Sequence, residues 1–198
     1  MVEAPKESKE TSRAFSRTSG GARAEIKKLK EISLGKEDRM ESGFPELDRV
    51  LGGGIVTGSL ILLGGDPGIG KSTLLLQVCK NISDSKKDVL YISGEESLKQ
   101  IKMRAKRIGD ITENLSFLCE TNLNIIKETV LSEKPDVVVI DSIQTMFNEE
   151  VASAPGSVSQ VRESTNLLMQ VAKENNIAIF IVGRSKSTGA YGGYSAVL

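Results

Sequence analysis

Between Leu60 and Cys79 the chain passes from an apolar run through Gly65-Asp66-Pro67-Gly68-Ile69-Gly70-Lys71-Ser72 into a second apolar run. The loop fits GxxxxGK[ST] without a mismatch. A strand pattern before it (Leu60–Gly64) and a helix pattern after it (Thr73–Cys79) argue against a chance glycine-rich turn. The glycines let the backbone curl so that successive N–H groups face one point, and the helix N-terminus adds partial positive charge there. That makes a cradle for phosphate groups. Lys71 is expected to reach the β- and γ-phosphates, the Ser72 hydroxyl to ligate Mg²⁺, and Thr73 to touch the α-phosphate. A unit of this kind sets its strand in a parallel sheet covered on both faces, and this constrains the rest of the chain.

The remaining pattern agrees. Ser59–Leu63, Val89–Ser93, Leu115–Cys119, Val137–Asp141 and Ile177–Val182 are short runs rich in Ile, Val and Leu, as suits strands buried on both faces. Helical stretches fall between them at about 71–83, 95–108, 122–133 and 157–175. In the last, Val158, Val161, Thr165, Leu168 and Ala172 recur at three- and four-residue spacing and predict one apolar face. Alternating strands and helices imply right-handed crossovers and a three-layer α/β domain with a mainly parallel sheet.

Two acidic strand ends stand out. Val137-Val138-Val139-Ile140 leads into Asp141, and in a parallel sheet that residue arrives on the edge that carries the phosphate loop. There it is expected to hold magnesium through a water, although Asp also serves as a helix N-cap. Val89–Ser93 leads into Gly94-Glu95-Glu96-Ser97. At the tip of the strand neighbouring the phosphate-loop strand, a glutamate would polarise the water that attacks the γ-phosphate. Adjacent acids also favour a helix N-terminus, and from the residues alone both readings stand. In the helix that follows, Leu98, Ile101, Ala105 and Ile108 read as the buried side. Lys99, Lys102, Arg104, Lys106 and Arg107 read as a solvated face.

Composition removes other chemistries. Among 198 residues there is no histidine, so catalysis by Ser-His-Asp or Cys-His and His-ligated zinc or haem are excluded. Two cysteines cannot build a four-thiolate zinc site, so no zinc is expected, and Cys79 and Cys119 read as small core residues. Any metal is a hard cation on oxygen ligands. The 26 basic and 26 acidic residues balance, which argues against a protein held to nucleic acid by bulk charge. No apolar run has membrane-spanning length, and a cytoplasmic setting is the expectation. Residues 1–30, rich in Lys, Glu, Ser, Arg and Gly, read as a disordered polar linker. A nucleic-acid tail using Arg13, Arg17, Arg23, Lys27 and Lys28 is the alternative, weakened by the interspersed glutamates.

Taken together, several runs resemble the RadA (Sms) family of bacterial DNA repair proteins. They are Ser42-Gly43-Phe44-Pro45-Glu46-Leu47-Asp48-Arg49-Val50-Leu51-Gly52-Gly53-Gly54-Ile55, Gly65 to Thr73, Tyr91-Ile92-Ser93-Gly94-Glu95-Glu96-Ser97, Asp141-Ser142-Ile143-Gln144-Thr145 and Gly156-Ser157-Val158-Ser159-Gln160-Val161-Arg162-Glu163. The likeness covers about 31–183. It implies a RecA-like P-loop ATPase core binding ATP and Mg²⁺, a hexameric ring, and a motor on single-stranded or branched DNA that drives branch migration. It also implies that Glu95 is the water-activating glutamate and that the loop Phe147–Ser157 faces DNA. A circadian-clock-type or archaeal recombinase ATPase shares this architecture.

The chain departs from that pattern in places. It has no four-cysteine zinc ribbon, and the leader resembles the linker that follows it. After Ile181-Val182-Gly183 the family's His-Val-Thr-Lys-Glu-Gly run is replaced by Arg184-Ser185-Lys186-Ser187-Thr188-Gly189 and a Gly- and Tyr-containing tail over 184–198. Neither the Lys-Asn-Arg-Phe-Gly motif nor the Lon-protease-like domain is present. The expected organisation is thus a linker (1–30), an ATPase core (31–183) incomplete at its C-terminus, and a divergent tail. Such a chain would leave an open sheet edge and apolar helix faces, hence poor solubility or self-association. A nucleotide-binding or interaction module with little catalysis is the alternative function.

Overall fold

The computed structural model of the chain describes residues 39–184 and 195–197. The expected linker therefore lies outside the described residues, as does most of the expected tail. The chain divides into Met1–Gly35 and Lys36–Leu198, and every described residue belongs to the second unit.

A two-residue strand β1 (Arg39–Met40) pairs antiparallel with β2 (Ile55–Val56), and the short helix α1 (Pro45–Val50) lies between them. Then come β3 (Leu60–Gly65), α2 (Lys71–Asp84), β4 (Val89–Ser93), α3 (Leu98–Ala105), β5 (Leu115–Cys119), α4 (Leu123–Glu133) and β6 (Val137–Asp141). A 3-10 turn (Ile143–Thr145), α5 (Val158–Asn175), β7 (Ala178–Arg184) and β8 (Ser195–Val197) complete the order. β4, β5 and β6 coincide with the runs read from the sequence. The sheet order is β5-β4-β6-β7-β3-β8, parallel except for β8, which pairs antiparallel with β3.

This order corrects one expectation. β4 is not the neighbour of β3, because β6 and β7 stand between them. The chain leaves β3 across three strand positions, steps outward to β5, and then returns inward. The packing explains how right-handed crossovers accommodate this. Leu75, Leu76, Val78, Cys79 and Ile82 of α2 and Ala105 of α3 pack against Val89, Tyr91, Val137, Val139 and Phe180 on one face of the sheet. Ile126 and Val130 of α4, with Leu168, Val171 and Ala172 of α5, pack against Leu90, Ile92, Val138, Ile140, Ile179 and Ile181 on the other. Outward steps therefore use one face and inward steps the opposite face. The three-layer α/β arrangement follows, with alternate residues of the central strands feeding alternate cores.

Three details differ from the sequence pattern. α3 begins at Leu98 rather than 95, because Ser97 and Gln100 form a capping box: the Ser97 N–H donates to Gln100 Oε1 (2.8 Å) and the Gln100 N–H to Ser97 Oγ (3.4 Å). Leu98 is exposed as a result. α5 buries Gln160, Ser164, Leu168, Val171 and Ala172, a face rotated from the predicted one, and Val158 is 77% exposed. β3 is no open edge, since the pairing of Leu62–Gly64 with Ser195–Val197 covers its outer side.

Candidate nucleotide site

The phosphate loop joins β3 to α2, and its backbone has the form the motif requires. Gly68 and Gly70 sit at φ +80° and +102°, a region where a side chain would be strained. Gly70 is the N-cap of α2 and no side chain caps that helix. Fourteen residues of helix thus present their positive end to the loop. Lys71 is buried, and its ammonium donates to the carbonyl oxygens of Gly65 and Asp66, both at 2.8 Å. Among the described residues no carboxylate pairs with it. Asp66, Ile69 and Ser72 are half-buried, while Pro67, Gly68 and Thr73 are exposed. A buried cation with no counter-ion among the described residues, at a helix N-terminus that no side chain caps, suits an anion.

The acids arrive on the same edge. Register pairs Ser93 with Asp141 across β4 and β6, and Gly65 with Arg184 across β3 and β7. The carboxyl ends of these four strands therefore line one side of the sheet. α3 leaves β4 on one face while α5 follows β6 on the other, and a crevice opens between such strands.

Asp141 is buried, and its Oδ2 accepts the Tyr91 hydroxyl at 2.5 Å. Burial pushes the Tyr91 phenol far above its usual range, and the Asp141 charge adds to this, so the phenol keeps its proton and donates it. This overturns the helix-cap alternative for Asp141. The turn that follows has Ser142 as its N-cap, and Asp141 is committed to Tyr91. The peptide bond between Asp141 and Ser142 is cis.

Glu95 and Glu96 precede the Ser97 cap, outside the first turn of α3, with their N–H groups on Ser93 Oγ at 3.4 and 3.0 Å. The helix-dipole reading of the pair loses its basis. Glu95 Oε1 accepts from Ser142 Oγ at 2.9 Å and from Arg184 Nη2 at 3.4 Å. Arg184 thus meets Glu95 directly. Glu96 instead pairs with Arg104 at 2.8 Å.

Sequence reasoning missed other groups here. Arg104, read as part of a solvated face, folds inward to Tyr91 and Glu96. Gln160 is buried, and its side chain organises the loop after the 3-10 turn. It accepts from Asn148 N–H (2.9 Å) and donates to the carbonyls of Asn148 (3.1 Å), Val151 (3.1 Å) and Ser153 (3.0 Å). Its one signal was a four-residue spacing with Ser164 and Leu168, hidden because both leading positions are polar. Of the cysteines, Cys79 is buried, and burial pushes its thiol up. Cys119 is exposed at the end of β5 with its thiol on the Glu96 carbonyl, which corrects its reading as a core residue.

Gly94 locks this corner together. Its N–H donates to the Asp141 carbonyl at 2.9 Å. A Cβ there would stand 2.1 Å from Thr145 Oγ1 and 3.0 Å from Thr121 Cγ2. Gly94→Ala is expected to displace the 143–145 turn and to cost about 2 kcal/mol of stability. A denaturant midpoint unchanged from the parent would contradict this close packing.

Comparison with known proteins agrees with this geometry. A family model described as an AAA domain matches residues 28–190. The DNA repair protein RadA of Listeria monocytogenes is 54% identical over 193 residues, covering 98% of this chain and 42% of the relative. RadA of Halalkalibacterium halodurans is 49% identical over 193 residues, again 98% and 42%, and RadA of Bacillus subtilis is 52% identical over 165 residues, 83% and 36%. The chain spans about two fifths of the length of these relatives. Its parallel sheet, its phosphate loop and these matches lead to one assignment: the chain belongs to the AAA domain family, and within it is similar to the DNA repair proteins RadA.

Proposed function

We propose that this chain is a RadA-like, DNA-stimulated ATPase module. The observation that carries the reading is the buried Lys71 ammonium, without a carboxylate partner among the described residues, at the N-terminus of α2, where no side chain caps the helix. Gly65, Asp66, Pro67, Gly68, Ile69 and Gly70 would wrap the phosphates with backbone N–H groups, Lys71 would neutralise them, and Thr73 would touch the α-phosphate. The residues fit magnesium as well: the half-buried Ser72 hydroxyl and the Asp141 carboxylate are hard oxygen donors on one sheet edge. A bound magnesium ion supplies positive charge against the charge developing on the phosphates.

Glu95 is the base in this reading. It takes a proton from the attacking water as that water bonds to the γ-phosphorus and the bridging oxygen departs with ADP. Its present hydrogen bonds to Ser142 and Arg184 hold the carboxylate at the crevice and must loosen for it to receive that proton. In a ring of copies the module would act on single-stranded or branched DNA, within a cytoplasmic repair system that drives branch migration. Residues 147–157, shaped by Gln160, are the surface offered to that DNA. Similarity to the RadA relatives supports this part of the reading.

One observation favours a second reading: Arg184 occupies Glu95, as expected of a module that binds ATP but turns it over slowly. Phosphate release measured with and without single-stranded DNA separates the two. Stimulation by DNA is the expected result. Nucleotide binding with no stimulation would overturn the proposal in favour of the second reading. Among the described residues no helix is long and apolar enough to cross a membrane.

A further inference from the structure

Asp141 is the end of a chain of polar side chains that runs beneath the sheet edge to α3. Tyr91 on β4 is in register with Val139, two residues before Asp141, and its side chain is fully buried on the face that carries α2 and α3. Its hydroxyl donates to Asp141 Oδ2 at 2.5 Å. That same hydroxyl accepts from Arg104 Nη2 at 3.1 Å, and the guanidinium carbon lies 5.8 Å from the Tyr91 ring centroid. Arg104 also pairs with Glu96 Oε2 at 2.8 Å, with only 17% of the arginine side chain and 31% of the glutamate exposed. Asp141, Tyr91, Arg104 and Glu96 are therefore continuous, and the last adjoins Glu95.

The donor order gives this chain a direction. A phenol has one proton, and here it goes to the carboxylate; the arginine, which only donates, takes the phenol's lone pair. Donation into the phenol oxygen strengthens the phenol's own hydrogen bond. One carboxylate oxygen of Asp141 is thereby held, which fixes the direction of the other. The Arg104–Glu96 pair anchors the segment just before α3, which also carries Glu95.

We propose that Tyr91 and Arg104 are positioning residues for the Asp141 carboxylate: the Tyr91 hydroxyl holds it in the orientation that receives a divalent cation, and Arg104 couples that orientation to the segment carrying Glu95. The inference rests on the reading above in which Asp141 holds magnesium. Groups that orient metal ligands typically change metal affinity by about 10- to 100-fold when removed.

The test uses the full chain and a fluorescent, non-hydrolysable ATP analogue. Its dissociation constant is measured with magnesium and with a chelator, and the ratio reports how far the cation strengthens binding. Tyr91→Phe keeps the ring and removes only the hydroxyl. It is expected to leave the chelator value within about twofold and to reduce the ratio by about 10-fold. Arg104→Gln keeps an amide donor but removes the charge and the pair with Glu96, and it is expected to reduce the ratio in the same sense but less. Asp141→Asn is run in parallel. If Asp141→Asn abolishes the ratio while Tyr91→Phe and Arg104→Gln leave it intact, the positioning role is overturned and the magnesium reading survives. An unchanged ratio in Asp141→Asn overturns both. A purely structural role for Tyr91 would lower the melting temperature and leave the ratio unchanged, which also overturns the proposal.

Discussion

Lys71→Ala is expected to reduce ATP affinity by at least about 100-fold and with it all turnover. A hydrogen bond between charged partners contributes up to about 3 kcal/mol, and 2.7 kcal/mol corresponds to about 100-fold in affinity. The lysine's environment makes this estimate conservative. Its ammonium is buried and held only by the carbonyls of Gly65 and Asp66, so its charge meets no competing carboxylate among the described residues. In the absence of nucleotide the same substitution removes two hydrogen bonds within the loop but also removes a buried ammonium that no carboxylate among the described residues pairs with, and the two effects offset to a net cost of about 1 kcal/mol. Binding and stability therefore separate. Titration with a fluorescent ATP analogue should show the loss while the denaturant midpoint moves little. Equal turnover by the parent and Lys71→Ala would sink the ATPase reading.

Glu95→Gln should do the opposite. It is expected to slow hydrolysis by about 10²- to 10⁴-fold while leaving ATP binding within about twofold, because the amide has nearly the same shape but accepts no proton. Its oxygen still receives the Ser142 hydroxyl, and the pair lost to Arg184 is exposed on both sides, with side-chain exposures of 44% and 59%. Such pairs contribute little to stability, about 0–1 kcal/mol, so the folded state should persist. Single-turnover measurement on preloaded protein distinguishes slow chemistry from slow binding. Hydrolysis at the parental rate would remove Glu95 from the role of base. Slow hydrolysis with intact binding would leave a trap for the ATP-bound state.

Much of the fold could be read because its central strands are buried on both faces. Val89–Ser93 and Val137–Asp141 match their sequence runs residue for residue, and so does the edge strand Leu115–Cys119, which is only partly buried. Helix ends were less legible where side chains compete with the backbone. α3 starts at Leu98 because Ser97 and Gln100 cap it, and that choice leaves both glutamates outside the helix. The face of α5 was misplaced for a related reason. Gln160 and Ser164 are polar yet buried, and Gln160 satisfies its amide with loop groups that no apolar periodicity reports. Arg104 escaped notice for the same reason, since a charged residue on a charged helix signals solvent until its partners are known.

By itself the sequence determined the phosphate cradle. The spaced glycines Gly65, Gly68 and Gly70, with Lys71 and Ser72, between a strand and a helix are local, and their geometry follows from backbone freedom and the helix dipole. Carboxylates at two strand ends were legible too, because parallel strands put their ends on one edge. Only the tertiary structure decided which strands are neighbours, and hence which side chains meet. With β6 and β7 between β4 and β3, Glu95 meets Ser142 and Arg184, while Asp141 meets Tyr91 and, through it, Arg104. Those contacts join residues 13 to 89 positions apart. They depend on the crossover path and on alternate burial across the sheet, which no local run of residues encodes.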